Sequence, residues 1–380
     1  MSARAFDVIV IGLGAAGSAT LYHLARSGAR VLGLDRFAPP HPHGSTHSES
    51  RIIRKAYFEG AQYLPLLTRA YELWSELEDD AGTELVNLIG CLNIGPPESH
   101  LVGGAVASAD AIGANCEVLE AGQVMTRFPG YRLPRDHLSV LDLEAGFIRP
   151  ERCITAHLKL ARAHGAEVRL DNPVQSWLPN GSGVTVSTRV ESFASHRVVL
   201  TAGAWMRDFA KVPLVIERVT NSWFAPVGPG YKASECPVFI FEDADGVRSY
   251  GFPDLGSGVK VGLHHQGSLH RHPDEVPRVI TPDDEAQVRH VVERLLPNAA
   301  GIGLRTSVCL YSNTPDKDYL IDFLPQSDRR VVIGSACSGH GFKASSAVGE
   351  QLAALAMEKI PKVDTTPFAW RWPLNGSAAA

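Results

Sequence analysis

The run Phe6-Asp7-Val8-Ile9-Val10-Ile11 leads directly into Gly12-Leu13-Gly14-Ala15-Ala16-Gly17, and a second apolar run, Arg30-Val31-Leu32-Gly33-Leu34, ends on Asp35. Strand, glycine turn, helix, strand and terminal acid together predict a dinucleotide-binding βαβ unit. The three glycines act separately. Gly12 makes the tight turn, Gly14 lets backbone approach a pyrophosphate, and Gly17 lets the helix pack closely on the strand. The helix start at Ala15 and Ala16 then receives the negative charge. Asp35 falls where a carboxylate bonds an adenosine ribose, and its own charge argues against a 2′-phosphate and so against NADP.

A chain of 380 residues exceeds the usual size of one domain, which predicts two domains sharing an interface. Its 36 basic and 41 acidic residues form no basic run, which argues against nucleic acid or an anionic membrane as partner. A small-molecule substrate is expected, with a monomer or small homo-oligomer as the assembly. Cys91, Cys116, Cys153, Cys236, Cys309 and Cys337 are dispersed, with no CxxC pair. That pattern fits a reducing, cytoplasmic compartment better than a disulfide framework or a zinc site, and no metal is expected. Residues 8–25 are apolar, but Asp7 and the glycines assign them to the fingerprint rather than to a targeting segment. Residues 373–380 have linker-like composition and read as a flexible tail.

Further along, Ala38-Pro39-Pro40-His41-Pro42-His43-Gly44-Ser45 cannot start a helix. Residues 62–79 carry Leu66, Tyr71, Leu73 and Trp74 at helical spacing, and 151–164 predict a second helix. Strands are expected at 166–170 and 197–201, the latter ending at Ala202-Gly203-Ala204-Trp205. From about 215 to 318 the pattern is short alternating strands with Pro/Gly turns, an antiparallel sheet. The fingerprint fold resumes with a strand at 330–334 and a helix from Ser345 to Met357. The fold class is therefore α/β, α+β overall: a Rossmann-like cofactor domain interleaved with an antiparallel-sheet substrate domain. The expected division assigns 1–90, 146–214 and 319–372 to the first and 91–145 and 215–318 to the second.

Four segments, the fingerprint, Ser50-Arg51-Ile52-Ile53-Arg54, Tyr250-Gly251-Phe252-Pro253 through Lys260 to His264, and Cys309-Leu310-Tyr311 with Ser338-Gly339-His340-Gly341-Phe342-Lys343, together have a recognisable form. From about residue 6 to 370 the chain resembles the monomeric sarcosine oxidase and N-methyltryptophan oxidase family of flavoproteins. The resemblance implies FAD as cofactor, held covalently by Cys309. It places Arg36, Ser45, His47, Arg51, Val174, Ala202, Gly203, Trp205, Gly339, Gly341 and Phe342 around the cofactor. Lys343, also beside the cofactor, and Arg54 match the positions that grip the substrate carboxylate, a role suited to a guanidinium fork and an ammonium.

Lys260 matches a lysine that lies over the flavin and assists oxygen reduction, where a preorganised cation stabilises developing negative charge. Arg51 matches a second basic position near the ring. His264, Tyr250 and Tyr311 match cavity-lining positions, although each reads equally as a buried structural ring. Three departures bear on substrate choice, one of them Leu263 where an aromatic or other larger residue is common in the family. Thr46-His47-Ser48-Glu49 keeps one histidine and exchanges Asp for Glu, and the stretch from Ile240 to Asp245 matches the family poorly. The implied activity is oxidation of secondary amino acids, N-methyl or cyclic: hydride leaves the carbon attached to nitrogen, the imine hydrolyses, and O2 becomes hydrogen peroxide. A dehydrogenase passing electrons to a carrier and a non-catalytic flavin-binding subunit remain as alternatives.

Overall fold

The strand Ala5–Ile11 pairs in parallel with Val31–Leu34 on one side and with Ser192–Leu200 on the other, as the crossover helix Ala15–Arg26 requires. The structure, a computed structural model, describes residues 5–181 and 183–373; the expected tail lies outside the described residues from 374 onward. Ser192–Leu200 is long enough to serve two neighbours. Its first half runs antiparallel to Gly183–Thr188, and its second half runs parallel to Val331–Ser335. Val174–Asn180, Glu167–Arg169 and Leu320–Phe323 complete an eight-stranded sheet.

The predicted helix at 62–79 forms as Leu64–Ala81 and buries Leu66, Leu67, Ala70, Leu73, Trp74 and Leu77. Tyr71, at the edge of that stripe, is half-buried and donates to the Glu144 carbonyl at 2.9 Å. Gly82 ends the helix at φ 60°, the left-handed conformation that suits a residue without Cβ. The helix Ser345–Ala356 crosses Ala15–Arg26 so closely that a Cβ on Gly349 would stand 2.5 Å from that of Ala19. These helices, with Pro150–Ala163, share one apolar core with the parallel strands.

The second sheet has nine strands, drawn from residues 91–142 and 215–313. Its longest pairing joins Val215–Phe224 to Gly303–Asn313 and sets Cys309 opposite Val219. The expectation of strands throughout 215–318 needs one correction: Pro282–Leu295 is a helix. Thr281 and Asp284 form its capping box, Pro282 occupies its first turn, and three acidic residues follow. Those are strong helix-start signals, outweighed in the sequence pattern by the strands on both sides.

A third, three-stranded sheet of Arg51–Ile53, Gly146–Ile148 and Val86–Leu88 carries the Arg51–Arg54 segment. Among the described residues no helix is long and apolar enough to cross a membrane.

Candidate active site

The C-terminal ends of the parallel strands open onto a cavity of about 560 Å³ whose far wall is the antiparallel sheet. This is where a ligand is expected in an open α/β sheet. Gly12 sits at φ +91°, and a Cβ there would stand 2.5 Å from the Thr201 carbonyl oxygen, so the turn requires glycine. At Gly14 the same atom would meet only Thr46 Oγ1 at 3.9 Å, which leaves the backbone open to the cavity. The helix that Gly14 begins has no side-chain cap and no acid in its first turn. Its free N–H groups and positive dipole end suit a phosphate. Gly17 lies outside the cavity wall; its Cβ would strike the Gly12 carbonyl oxygen at 1.8 Å, so it serves the turn's packing.

Asp35 lines the cavity while accepting from Leu13 N at 2.6 Å and from Phe37 N at 2.8 Å. Burial raises its carboxyl to about 6 against those two hydrogen bonds. Arg36 lies 5.5 Å from the Trp205 ring and pairs with Asp274, which also accepts from Trp205 Nε1. Ala15, Ala16, Val174, Ala202 and Gly203 line the same end, and Ser45 the wall towards Cys309.

At the other end the two sheets bring distant residues together. The Arg51 guanidinium donates to the carbonyls of Ser50 and Ser45 and lies 3.4 Å from the Cys309 sulfur. Arg54, 1% exposed, holds both oxygens of Glu59 at 2.6 Å and the Ala56 carbonyl at 2.7 Å, yet its buried Nε has no partner. Burial alone would raise the Glu59 carboxyl, but Arg54, His340 and Lys343 draw it down to about 2. Lys343 donates to the His340 carbonyl at 2.6 Å, using one of its three N–H bonds. Burial, then the Arg54 charge, lowers its ammonium to about 7.

Tyr250, Tyr311 and His264 form one aromatic wall. His264 Nδ1 lies 3.3 Å from the Tyr311 hydroxyl, and the Tyr250 hydroxyl donates to Asn221 at 2.8 Å. Burial, then the neighbouring His265, keeps His264 neutral far below its ordinary range. Gly339 sits at φ +79°, and a Cβ there would meet His264 and Tyr311 at 2.7 and 2.8 Å, so this position requires glycine. Gly341 and Phe342 complete this side.

A sequence profile of the family described as FAD dependent oxidoreductase matches residues 7–355. The chain belongs to that family. Among its relatives it is 38% identical over 361 residues to a monomeric sarcosine oxidase of Streptomyces avermitilis, covering 93% of this chain and 94% of the other. It is also 35% identical to an N-methyl-L-tryptophan oxidase of Salmonella agona over 96% of this chain and 98% of that one. Among solved structures, NikD, an unusual amino acid oxidase essential for nikkomycin biosynthesis, superposes in its open form with a TM-score of 0.87. The identity is 25%, over 96% of this chain and 97% of that one. The L-proline dehydrogenase of P. horikoshii shares the fold, with a TM-score of 0.83 at 18% identity over 97% of both chains.

The residues of this FAD-dependent oxidoreductase fit its cofactor: an uncapped helix N-terminus, an open backbone at Gly14, an acid after the second strand and a buried cysteine in the wall. Two residues expected beside the flavin lie outside the cavity wall. His47 lines a separate cleft of about 320 Å³ with Glu49, Glu151, Trp223 and Arg305. Its Nδ1 lies 2.9 Å from Ser48 Oγ, and its buried Nε2 has no partner. Lys260 shares a strand face with His264, but its register partner Phe252 and the Ser48–Ser50 segment cover it. Its ammonium donates to both serine carbonyls at 2.8 Å and to Ser50 Oγ at 2.9 Å. Burial, then the Arg51 charge, lowers it well below an ordinary lysine.

Sequence reasoning missed Glu59 and His340. Glu59 follows Arg54 by five positions, just past the apolar and aromatic run Ala56-Tyr57-Phe58, a pairing signal available from the chain itself. His340 stood inside the Gly339–Lys343 segment without a role.

Proposed function

We propose that this FAD-dependent oxidoreductase oxidises secondary amino acids, N-methyl or cyclic, with the substrate carboxylate held between Arg54 and Lys343. The observation that carries the reading is the meeting of these two buried cations. One has an unpartnered N–H and the other spare N–H bonds, at the end of the cavity that holds His264 and Tyr311. Glu59 now occupies Arg54 Nη2 and the Ala56 carbonyl Nη1, so an arriving carboxylate takes the free Nε first and competes with Glu59 for Nη2. The match to a sarcosine oxidase and an N-methyl-L-tryptophan oxidase supports the amine class.

Bound against the glycine turn and Asp35, FAD supplies the acceptor for the hydride that leaves the carbon attached to nitrogen. The protein's part is to hold the amine in its neutral form, because only that form has the lone pair that drives hydride departure. A buried, neutral His264 beside Tyr311 and Tyr250 offers polar contacts without a charge, and desolvation itself favours the uncharged amine. We assign Cys309 as the covalent attachment point, since its sulfur stands in the cavity wall 3.4 Å from the Arg51 guanidinium. The dispersed free thiols support a cytoplasmic location.

O2 is the proposed acceptor, with hydrogen peroxide as product. The covered position of Lys260, all three N–H bonds engaged, favours one second reading, a dehydrogenase that passes electrons to a carrier. A panel of N-methyl and cyclic amino acids, with the corresponding decarboxylated amines, assayed for peroxide and for oxygen-independent dye reduction separates these outcomes. Turnover of the decarboxylated amines equal to that of their parents refutes the carboxylate clamp.

A further inference from the structure

His340 is enclosed by aromatic rings. Tyr319 stacks on it with centroids 5.0 Å apart and 21° between planes, and Tyr63 and Tyr57 meet it edge-on at 5.3 and 6.0 Å. Its two nitrogens have different partners: Nε2 lies 3.2 Å from the Lys317 carbonyl oxygen, and Nδ1 lies 2.6 Å from the Tyr57 hydroxyl. A carbonyl only accepts, so Nε2 carries the hydrogen. Burial lowers the ring to about 4, so at neutral pH Nδ1 is bare and the Tyr57 hydroxyl donates to it. Side chain, tautomer and ring plane are therefore all set.

The backbone of the same residue is equally constrained. The His340 carbonyl oxygen accepts from the Tyr319 hydroxyl at 3.1 Å and from Lys343 Nζ at 2.6 Å. Its neighbours leave the turn no other path: Gly339 sits at φ +79°, and a Cβ on Gly341 would lie 1.4 Å from the Ala336 carbonyl oxygen. Lys343 is thus anchored to the cavity through one carbonyl, whose place depends on the imidazole and on Tyr319.

We infer that Tyr57, His340 and Tyr319 are positioning residues for the substrate carboxylate: by fixing the His340 peptide they aim the Lys343 ammonium at the anion that Arg54 also meets. Neither tyrosine hydroxyl needs to touch substrate for this. A lysine side chain has four freely rotating bonds, and a flexible ammonium loses affinity to ordering entropy that a pre-aimed one does not. Tyr57 has a second link to the clamp, since its ring lies 4.5 Å from the Arg54 guanidinium carbon and 5.0 Å from Lys343 Nζ. The inference rests on the proposed carboxylate role of Lys343.

The test uses the FAD-loaded enzyme and acetate or propionate, carboxylates without an oxidisable amine, titrated by the change in flavin absorbance. Tyr57→Phe and Tyr319→Phe keep the rings and remove single hydroxyls. Each is expected to weaken carboxylate binding by about 3- to 10-fold, the range of a neutral hydrogen bond, with KM for the amino acid rising more than kcat falls.

Tyr57→Phe also exposes Nδ1 to protonation. The groups facing this ring are Glu59, Lys343 and Arg54, His264 from the antiparallel sheet, and Tyr57, Tyr63 and Tyr319, and loss of the Tyr57 donor removes a bond that favoured its neutral form. The acid-side inflection of the affinity profile, after allowance for the ligand's own protonation, should therefore lie at higher pH in this variant than in the wild type. Tyr63→Phe is the control, because its hydroxyl bonds Asp318 and not His340. Equal weakening in Tyr63→Phe, or unchanged affinity and pH profile in both Tyr57→Phe and Tyr319→Phe, overturns the inference. Lys343→Met separates it from the reading beneath: if that variant binds acetate normally, the clamp itself fails.

Discussion

Carboxylate affinity should depend on pH through Lys343, and the sign follows from its surroundings. Burial and the Arg54 charge bring its ammonium to about 7 in the free enzyme. Only the protonated form donates a charge-assisted hydrogen bond, a contribution of about 1.5 to 3 kcal/mol, or roughly 10- to 150-fold in affinity. By linkage the bound anion raises the lysine by the same free energy, about one to two pH units. Affinity for the acetate anion is therefore complete at about pH 6, falls as pH rises through 7, and levels off once pH passes the bound-state value, about one to two units higher, at roughly one-tenth to one-hundred-and-fiftieth of its maximum.

The neighbours leave that window clear. His264 and His340 stay neutral in it, and Glu59, drawn to about 2, stays ionised. Lys343→Met should show weak affinity at every pH, matching the wild-type alkaline plateau. Flavin absorbance titrations from pH 6 to 9 supply the measurement. A flat wild-type profile refutes the assignment, and a slope that survives in Lys343→Met refutes it and points to another lysine, of which Lys260 is the nearest in character.

Acid-precipitated wild-type protein should stay yellow, whereas Cys309→Ser should release its flavin to the supernatant; flavin that washes out of the wild type removes the covalent assignment. Lys260→Met should slow reoxidation by oxygen about 10²- to 10³-fold, the usual cost of one lost preorganised donor, and leave anaerobic reduction nearly unchanged in stopped-flow traces. Equal slowing of both half-reactions would make Lys260 a structural residue. Glu59→Gln should strengthen acetate binding by freeing Arg54, while lowering stability by about 3 to 5 kcal/mol, since it leaves a buried guanidinium without its counter-charge. Thermal unfolding with and without saturating acetate reads both effects, and acetate should restore much of the lost stability.

What the chain disclosed in advance was local, and what it concealed was pairing. Gly12, Gly14, Gly17 and Asp35 were legible because a tight turn, a close backbone approach and an acid after the second strand each impose a residue type at a fixed spacing. The helix at 64–81 was legible from its apolar stripe for the same reason. The helix at 282–295 carried its start signals in Thr281, Pro282 and Asp284, but strands on both sides dominated the pattern. Lys260 shows the harder case. Its position on a strand with His264 is periodic and readable, whereas its cover by Phe252 depends on the register between two strands, which periodicity does not set.

Arg54 is harder still, because a cation's partner is decided by which carboxylate the fold leaves within reach after desolvation. Here that is Glu59, held by both oxygens at 2.6 Å. This pairing also explains how a buried arginine persists in the free enzyme: Arg54 carries its own internal carboxylate, and in the proposed clamp substrate selection would be a competition between two anions for one guanidinium. Under the proposed carboxylate role, a ligand without a carboxylate has nothing to offer in that exchange, so discrimination against simple amines would reside in the resting ion pair itself.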